Sequence, residues 1–293
     1  MTTAYGYKVV DVFTHEPFLG NPVAVVLNAD DLTTEAMQDI ANWTNLSETA
    51  FVLQPTTAEA DYRLRIFTPR SELPFAGHPT LGSAHAVLET GLITPRREGR
   101  LTQECLIGRV ELSVAEQDGN RYLAFALPPA TIEPLPTPDS AELELILGGK
   151  TSTRCEPAIV NVGPRWVIAD LSDAAAVLDL RPDLTRLAAF ERRLGITGVT
   201  VFGARDHEDA AIEVRTFAPS CGVPEDPVCG SGNGSVAAFR WERGLLPPQG
   251  VEYVAHQGRR VGRDGLVRVS VDAHGGIRVG GECVTCVDGS LRA

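Results

Sequence analysis

The chain has 293 residues, a formal net charge of −12, 43% hydrophobic and 22% charged residues, a globular composition with enough length for one large domain or two ordinary ones. A sequence pI near 5.0 with no basic stripe argues against nucleic acid as a partner. No apolar run approaches the roughly 18 residues of a membrane-spanning helix, so no membrane partner is expected.

The first residues, M-T-T-A-Y-G-Y-K, carry neither a charged start nor an apolar core. No export signal is therefore expected, and the six cysteines are expected as reduced thiols in a cytoplasm.

In chain order, residues 8–13 read as a strand, Gly20-Asn21-Pro22 as a turn and 23–27 as a second strand. A helix opens after Asp31 with Thr33 or Thr34 as its N-cap. Met37, Ile40 and Ala41 give it helical spacing, and it ends near 42–44. Strands follow at 49–53 and 62–67. Pro69 breaks the chain, and a second helix covers 79–89, closed by Gly91. Strands at 100–106 and 110–114 lead to a turn at 118–120. Residues 122–127 are strand-like, the Pro-rich stretch 127–138 reads as a loop, and 159–168 reads as strand, turn, strand. Helices near 174–178 and 182–194 precede strands near 199–202 and 211–217. A helix then opens at Gly230 and Ser231 and runs to about Glu242, and short strands fill the remainder.

The pattern begins again halfway along. One constant offset places Arg65-x-Phe67-x-Pro69 on Arg215-x-Phe217-x-Pro219, Pro74 on Pro224 and Gly82 on Gly232. It also places Asn45-Leu46-Ser47-Glu48 on Gly195-Ile196-Thr197-Gly198. At another offset, Gly20-Asn21-Pro22 falls on Gly163-Pro164-Arg165. A single long repeat implies two related domains about a pseudo-twofold axis rather than a solenoid. The expected lobes are 1–117, joined by the last strand near 280–293, and 118–279. Each is expected to be a curved sheet around one helix. The cleft between them would receive both helix N-termini, whose unpaired N–H groups suit a small carboxylate.

Three stretches carry candidate chemistry. Glu48, in N-L-S-E-T-A-F-V, stands before a strand of burial-type residues, and its repeat counterpart is Gly198. It reads either as a solvated helix-end glutamate or as a general base in a poorly solvated cleft. His78, in L-P-F-A-G-H-P-T, precedes the helix at Pro79. It reads as a capping or packing histidine, or as an imidazole biased to its neutral form by the helix dipole. In G-V-P-E-D-P-V-C-G-S-G-N-G, Asp226 reads as a helix-terminal charge or as an orienting group. Cys229 reads as a small buried residue or as a thiol of lowered pKa able to act as a second acid/base. The glycines there let backbone approach a ligand. His85 does not complete a metal site with His78, and Cys283-Val284-Thr285-Cys286 is one C-x-x-C pair without partners, so no metal is expected.

These stretches, with V-D-V-F-T-H-E-P-F-L-G-N-P at the start, resemble the phenazine-biosynthesis PhzF isomerase family nearly end to end. The resemblance implies the α+β, diaminopimelate-epimerase-like fold: two similar domains, each a barrel-like mixed sheet around a central helix. It implies a homodimer that needs no cofactor. It carries the family's catalytic glutamate, histidine and aspartate onto Glu48, His78 and Asp226. The helix N-termini at Gly77 and at Gly230 and Ser231, with Cys229 beside the second, are the expected substrate-binding positions. In phenazine isomerases the glutamate moves a proton of trans-2,3-dihydro-3-hydroxyanthranilate from C3 to C1, and the enol formed becomes a ketone. The cysteine of D-P-V-C-G-S-G-N lies where related epimerases carry one of two catalytic thiols. The expected function is thus a cofactor-free isomerase of a small unsaturated carboxylic or amino acid. Two alternatives stand beside it: a two-base racemase or epimerase using Glu48 and Cys229, and a non-catalytic binding protein.

Overall fold

The structure, a computed structural model, describes residues 3–95, 97–117, 119–205 and 211–293. Asp118, the first residue of the turn expected at 118–120, lies outside them.

The chain divides into two compact units, Met1–Phe125 with Gly280–Ala293, and Ala126–Val279. The first boundary falls at 125/126 rather than 117/118. Residues 120–125 pair antiparallel with the strand before them and so stay with the first unit.

Unit 1 contains β1 (Ala4–Val12), β2 (Asn21–Leu27), α1 (Thr34–Thr44), β3 (Thr49–Leu53), β4 (Tyr62–Phe67), β5 (Glu72–Leu73), α2 (Gly77–Glu89), β6 (Arg100–Cys105), β7 (Gly108–Gln117) and β8 (Asn120–Ala126). Strand β1 pairs antiparallel with β2, β2 parallel with β3, and β3 antiparallel with β4. Strand β4 then runs parallel to β6, which leads antiparallel to β7 and β8. Helix α2 packs against β1 to β4 and is buried from His78 to Val87, apart from a half-buried His85. A helix apolar on all sides belongs inside a sheet, not on its surface. Helix α1 covers the outer face, where Met37 and Ala41 close a core with Val26, Phe51 and Phe67.

Unit 2 contains β9 (Thr131–Pro134), α3 (Thr137–Leu147), β10 (Ala158–Asn161), β11 (Arg165–Asp173), α4 (Ala174–Asp179), α5 (Leu184–Leu194), β12 (Gly198–Ala204), β13 (Ile212–Ala218), β14 (Val223–Asp226), α6 (Gly230–Glu242), β15 (Val251–Gln257), β16 (Gly265–Val271) and β17 (Ile277–Gly281). The last strand, β18 (Cys283–Arg292), returns to unit 1 and pairs antiparallel with β1. The ladder repeats that of unit 1: β10 antiparallel to β11, β11 parallel to β12, β12 antiparallel to β13, β13 parallel to β15. Helix α6 packs against β10, β11, β12 and β16. Outside, α3, α4 and α5 enclose Leu143, Ile146, Leu187, Phe190 and Phe217. Each such fully buried side chain contributes about 1.5–3 kcal/mol.

The repeat holds in detail through one block. Thr33 caps the start of α1 and Asp183 that of α5, each with its side chain accepting from a first-turn N–H. Asn45 and Gly195 end those helices in the left-handed conformation, at φ 55° and 61°, which only Gly and Asn adopt cheaply. Thr49 pairs with Phe67 as Val199 pairs with Phe217. Arg65 forks onto Glu72 and lies over Phe67, while Arg215 forks onto Glu225 and lies over Phe217.

Beyond that block the offset changes. Helices α2 and α6 both have 13 residues, so Gly77 corresponds to Gly230, and Gly82 does not correspond to Gly232. Helix α2 also begins at Gly77, ahead of the expected Pro79, so His78 lies within its first turn.

The stretch 127–138 is not one loop. It holds β9 and the start of α3, with Pro138 in the helix's first turn, where a missing N–H costs nothing. The run E-L-E-L alternates like a strand, yet Leu143, Ile146 and Leu147 share the buried side of a helix. That spacing is helical.

Candidate active site

In unit 1, Glu48 is the last residue before β3, whose five residues are all buried. The αL turn at Asn45 ends α1 and delivers the chain to this point. His78 is anchored in the first turn of α2. The two meet: His78 Nε2 lies 3.4 Å from Glu48 Oε2, with side-chain exposures of 9% and 17%. Among the described residues neither atom has a hydrogen-bond partner.

His78 also bonds the backbone of Pro22. Proline has no N–H, so the ring donates and the Pro22 carbonyl accepts. Nε2 faces Glu48, which leaves Nδ1 as that donor and a lone pair on Nε2 aimed at the carboxylate. Burial pushes the imidazole pKa below its ordinary 6.5, with the Glu48 charge and the Pro22 bond acting the other way. The neutral form was expected from the helix dipole; desolvation is the larger cause. When Glu48 carries a proton, its O–H has an acceptor within reach in Nε2. When Glu48 is ionised, no proton stands between them.

Gly77 opens α2. A Cβ there would lie 3.0 Å from Phe125 Cζ, and Phe125 is itself fixed edge-to-face against Phe75 at 5.5 Å.

In unit 2, Asp226 ends β14 and Cys229 caps α6, followed by Gly230 and Ser231. These four also form one group. Asp226 Oδ1 accepts from Val228 N–H at 3.1 Å, the Cys229 thiol accepts from Gly232 N–H at 3.3 Å, and Ser231 Oγ lies 3.6 Å from that sulfur. Ser231 Oγ accepts from the Trp166 indole N–H at 3.2 Å. Gly232 has no room for a side chain: a Cβ would lie 2.8 Å from Thr200 Oγ1 and 2.9 Å from Thr216 Oγ1.

Of the two readings of Cys229, the small buried residue holds. Cys229 does not have a lowered pKa. Burial raises the thiol well above 9.0, and the neighbouring Asp226 carboxylate raises it further. The N–H of Gly232 opposes this and is outweighed. A thiolate base at Cys229 is therefore disfavoured.

Cys283 is likewise raised by burial. Among the described residues no group of three or more His, Cys, Asp or Glu side chains is placed to hold a metal ion.

Pro22, Trp166, Asn233 and Gln257 were not legible as members of these groups. Asn233 lies in the glycine-rich motif; Pro22 lies in a marked turn. Trp166 and Gln257 carry no local signal, since their side chains reach Ser231 and the 226–233 segment only in the folded chain.

Comparison with known proteins gives the class. A family model described as phenazine biosynthesis-like protein, PhzC-PhzF, matches residues 10–289. The chain is 42% identical over 297 residues, 98% of each chain, to "Antisense-enhancing sequence 1" of Schizosaccharomyces pombe. It is 40% identical over 262 residues, 88% of this chain and 87% of the relative, to trans-2,3-dihydro-3-hydroxyanthranilate isomerase of Pseudomonas aeruginosa. A crystal structure of a PhzF-family phenazine biosynthesis protein from Bacillus anthracis superposes with a TM-score of 0.87 over 99% of both chains at 24% identity, a likeness of fold. With this mixed α+β fold, the protein falls among the isomerases. The chain belongs to the PhzF family.

Proposed function

We propose that the protein is a cofactor-independent isomerase that moves one proton within a small unsaturated carboxylic acid of the trans-2,3-dihydro-3-hydroxyanthranilate kind. The observation that carries this reading is the Glu48–His78 pair, 3.4 Å apart with no other partner for the facing atoms among the described residues. Glu48 takes a proton from a C–H made acidic by conjugation with a double bond and returns it to the far end of the conjugated system. One C–H bond breaks, one forms, the double bond shifts, and no electrons leave the substrate. Between these steps the protonated carboxyl is held by His78 Nε2, which the Pro22 carbonyl keeps in the right tautomer.

Asp226, Gly230 and Ser231 are assigned to binding of the substrate's polar groups, and Cys229 to capping α6. The two-base alternative requires a thiolate at Cys229, which the raised thiol pKa disfavours. A non-catalytic binding protein would have no evident use for a buried carboxylate facing an imidazole.

The test is a single turnover of trans-2,3-dihydro-3-hydroxyanthranilate deuterated at C3. A one-residue shuttle carries part of the label to the new carbon. Complete replacement by solvent hydrogen, with inversion of a centre, would instead support two opposed bases.

A further inference from the structure

Each central helix is tied by one buried glutamine on the strand that follows it. In unit 1, Gln103 of β6 donates from Nε2 to Thr80 Oγ1 at 3.1 Å and accepts from the Tyr62 hydroxyl at 3.0 Å. In unit 2, Gln257 ends β15. Thr80 and Asn233, the helix residues they hold, each stand fourth in their helix.

Gln257 holds more than the helix. Its Nε2 donates to the Asp226 carbonyl at 2.9 Å. Its Oε1 accepts from the Cys229 N–H at 3.1 Å and from Asn233 Nδ2 at 2.8 Å. Asn233 Nδ2 donates in turn to the Cys229 carbonyl at 2.9 Å. Gln257 and Asn233 are fully buried. The crossing from β14 to α6 thus has its backbone satisfied by two side-chain amides.

Only a side chain with a donor and an acceptor at one end can serve the Asp226 carbonyl and the Cys229 N–H together. A carboxylate lacks the donor. An apolar side chain removes both bonds and takes the partner from the buried Cys229 N–H, the costly case.

We propose that Gln257 is a positioning residue: it holds the Asp226–Cys229 segment in register with the start of α6. Its bearing on catalysis rests on the assignment of Asp226 to the substrate; its hold on the segment does not.

Alkylation by iodoacetamide, resolved by site and expressed as Cys229 relative to exposed Cys221, reads that hold directly. Gln257→Leu raises the ratio about tenfold while the protein still melts cooperatively, because unpaired backbone groups favour local opening. Gln257→Glu raises it at about pH 8 and returns toward wild type as pH falls, since a protonated carboxyl regains the donor. If Gln257→Leu does not fold, the pH response of Gln257→Glu decides. A ratio equal to wild type in the folded variants, at every pH, overturns the proposal. In parallel, Asp226→Asn is assayed on trans-2,3-dihydro-3-hydroxyanthranilate. Unchanged turnover there removes Asp226 from the site and leaves the labelling result standing on its own.

Discussion

A Cβ placed on Gly198 would lie 2.1 Å from the carbonyl oxygen of Phe217 and 2.7 Å from Trp166 Cζ3. Gly198 is the ladder counterpart of Glu48, because Val199 pairs with Phe217 as Thr49 pairs with Phe67. The second unit therefore has no space for a side chain where the first presents a carboxylate. Gly198→Ala is expected to destabilise the protein by about 1–3 kcal/mol, since backbone must move to admit the methyl group. Urea unfolding of the variant against wild type measures this, and an unchanged midpoint would show that the strand gives way freely.

Stability should fall in mild acid. His78 and His85 both have pKa values depressed by burial below 6.5, so the folded state resists protons that the unfolded chain accepts. The contribution is whole above pH 6.5 and is lost as pH falls through the depressed folded values. Thermal melts across that window should show a declining Tm, with a shallower decline in His78→Gln. Equal slopes for the two proteins would mean that His78 is not held neutral by the fold.

Cys229→Ser is expected to keep most of the activity. The hydroxyl can accept from Gly232 N–H as the sulfur does, and capping by Ser is favourable. Turnover within about tenfold of wild type is predicted; this is below the roughly 100- to 10,000-fold that loss of a general acid or base costs. Abolished turnover in a folded Cys229→Ser would return the two-base mechanism to favour.

Much of the fold was legible because local chemistry and ladder register agree. Thr33 with Asp183, Asn45 with Gly195, and Arg65 with Arg215 mark the same points of two units, and a constant offset finds them. Legibility failed where the signal was ambiguous or distant. Prolines that open α3 look like loop residues, and its E-L-E-L run looks like a strand. The offset broke before α2 and α6 because the segments leading into them differ in length. In the site, Glu48 and His78 could be named from their motifs, but their contact could not. The two readings of Cys229 stayed open because a sequence shows a helix N-terminus and does not show burial. Gln257 was invisible, since its partners Asp226, Cys229 and Asn233 lie far from it in the chain.

Glu48→Gln tests the central claim most directly. The amide keeps the size of the side chain and cannot carry the substrate's proton. Turnover of trans-2,3-dihydro-3-hydroxyanthranilate should fall by roughly 100- to 10,000-fold, while titration with 3-hydroxyanthranilate shows binding like that of wild type. A Glu48→Gln protein that turns over this substrate within a few-fold of wild type would contradict the account.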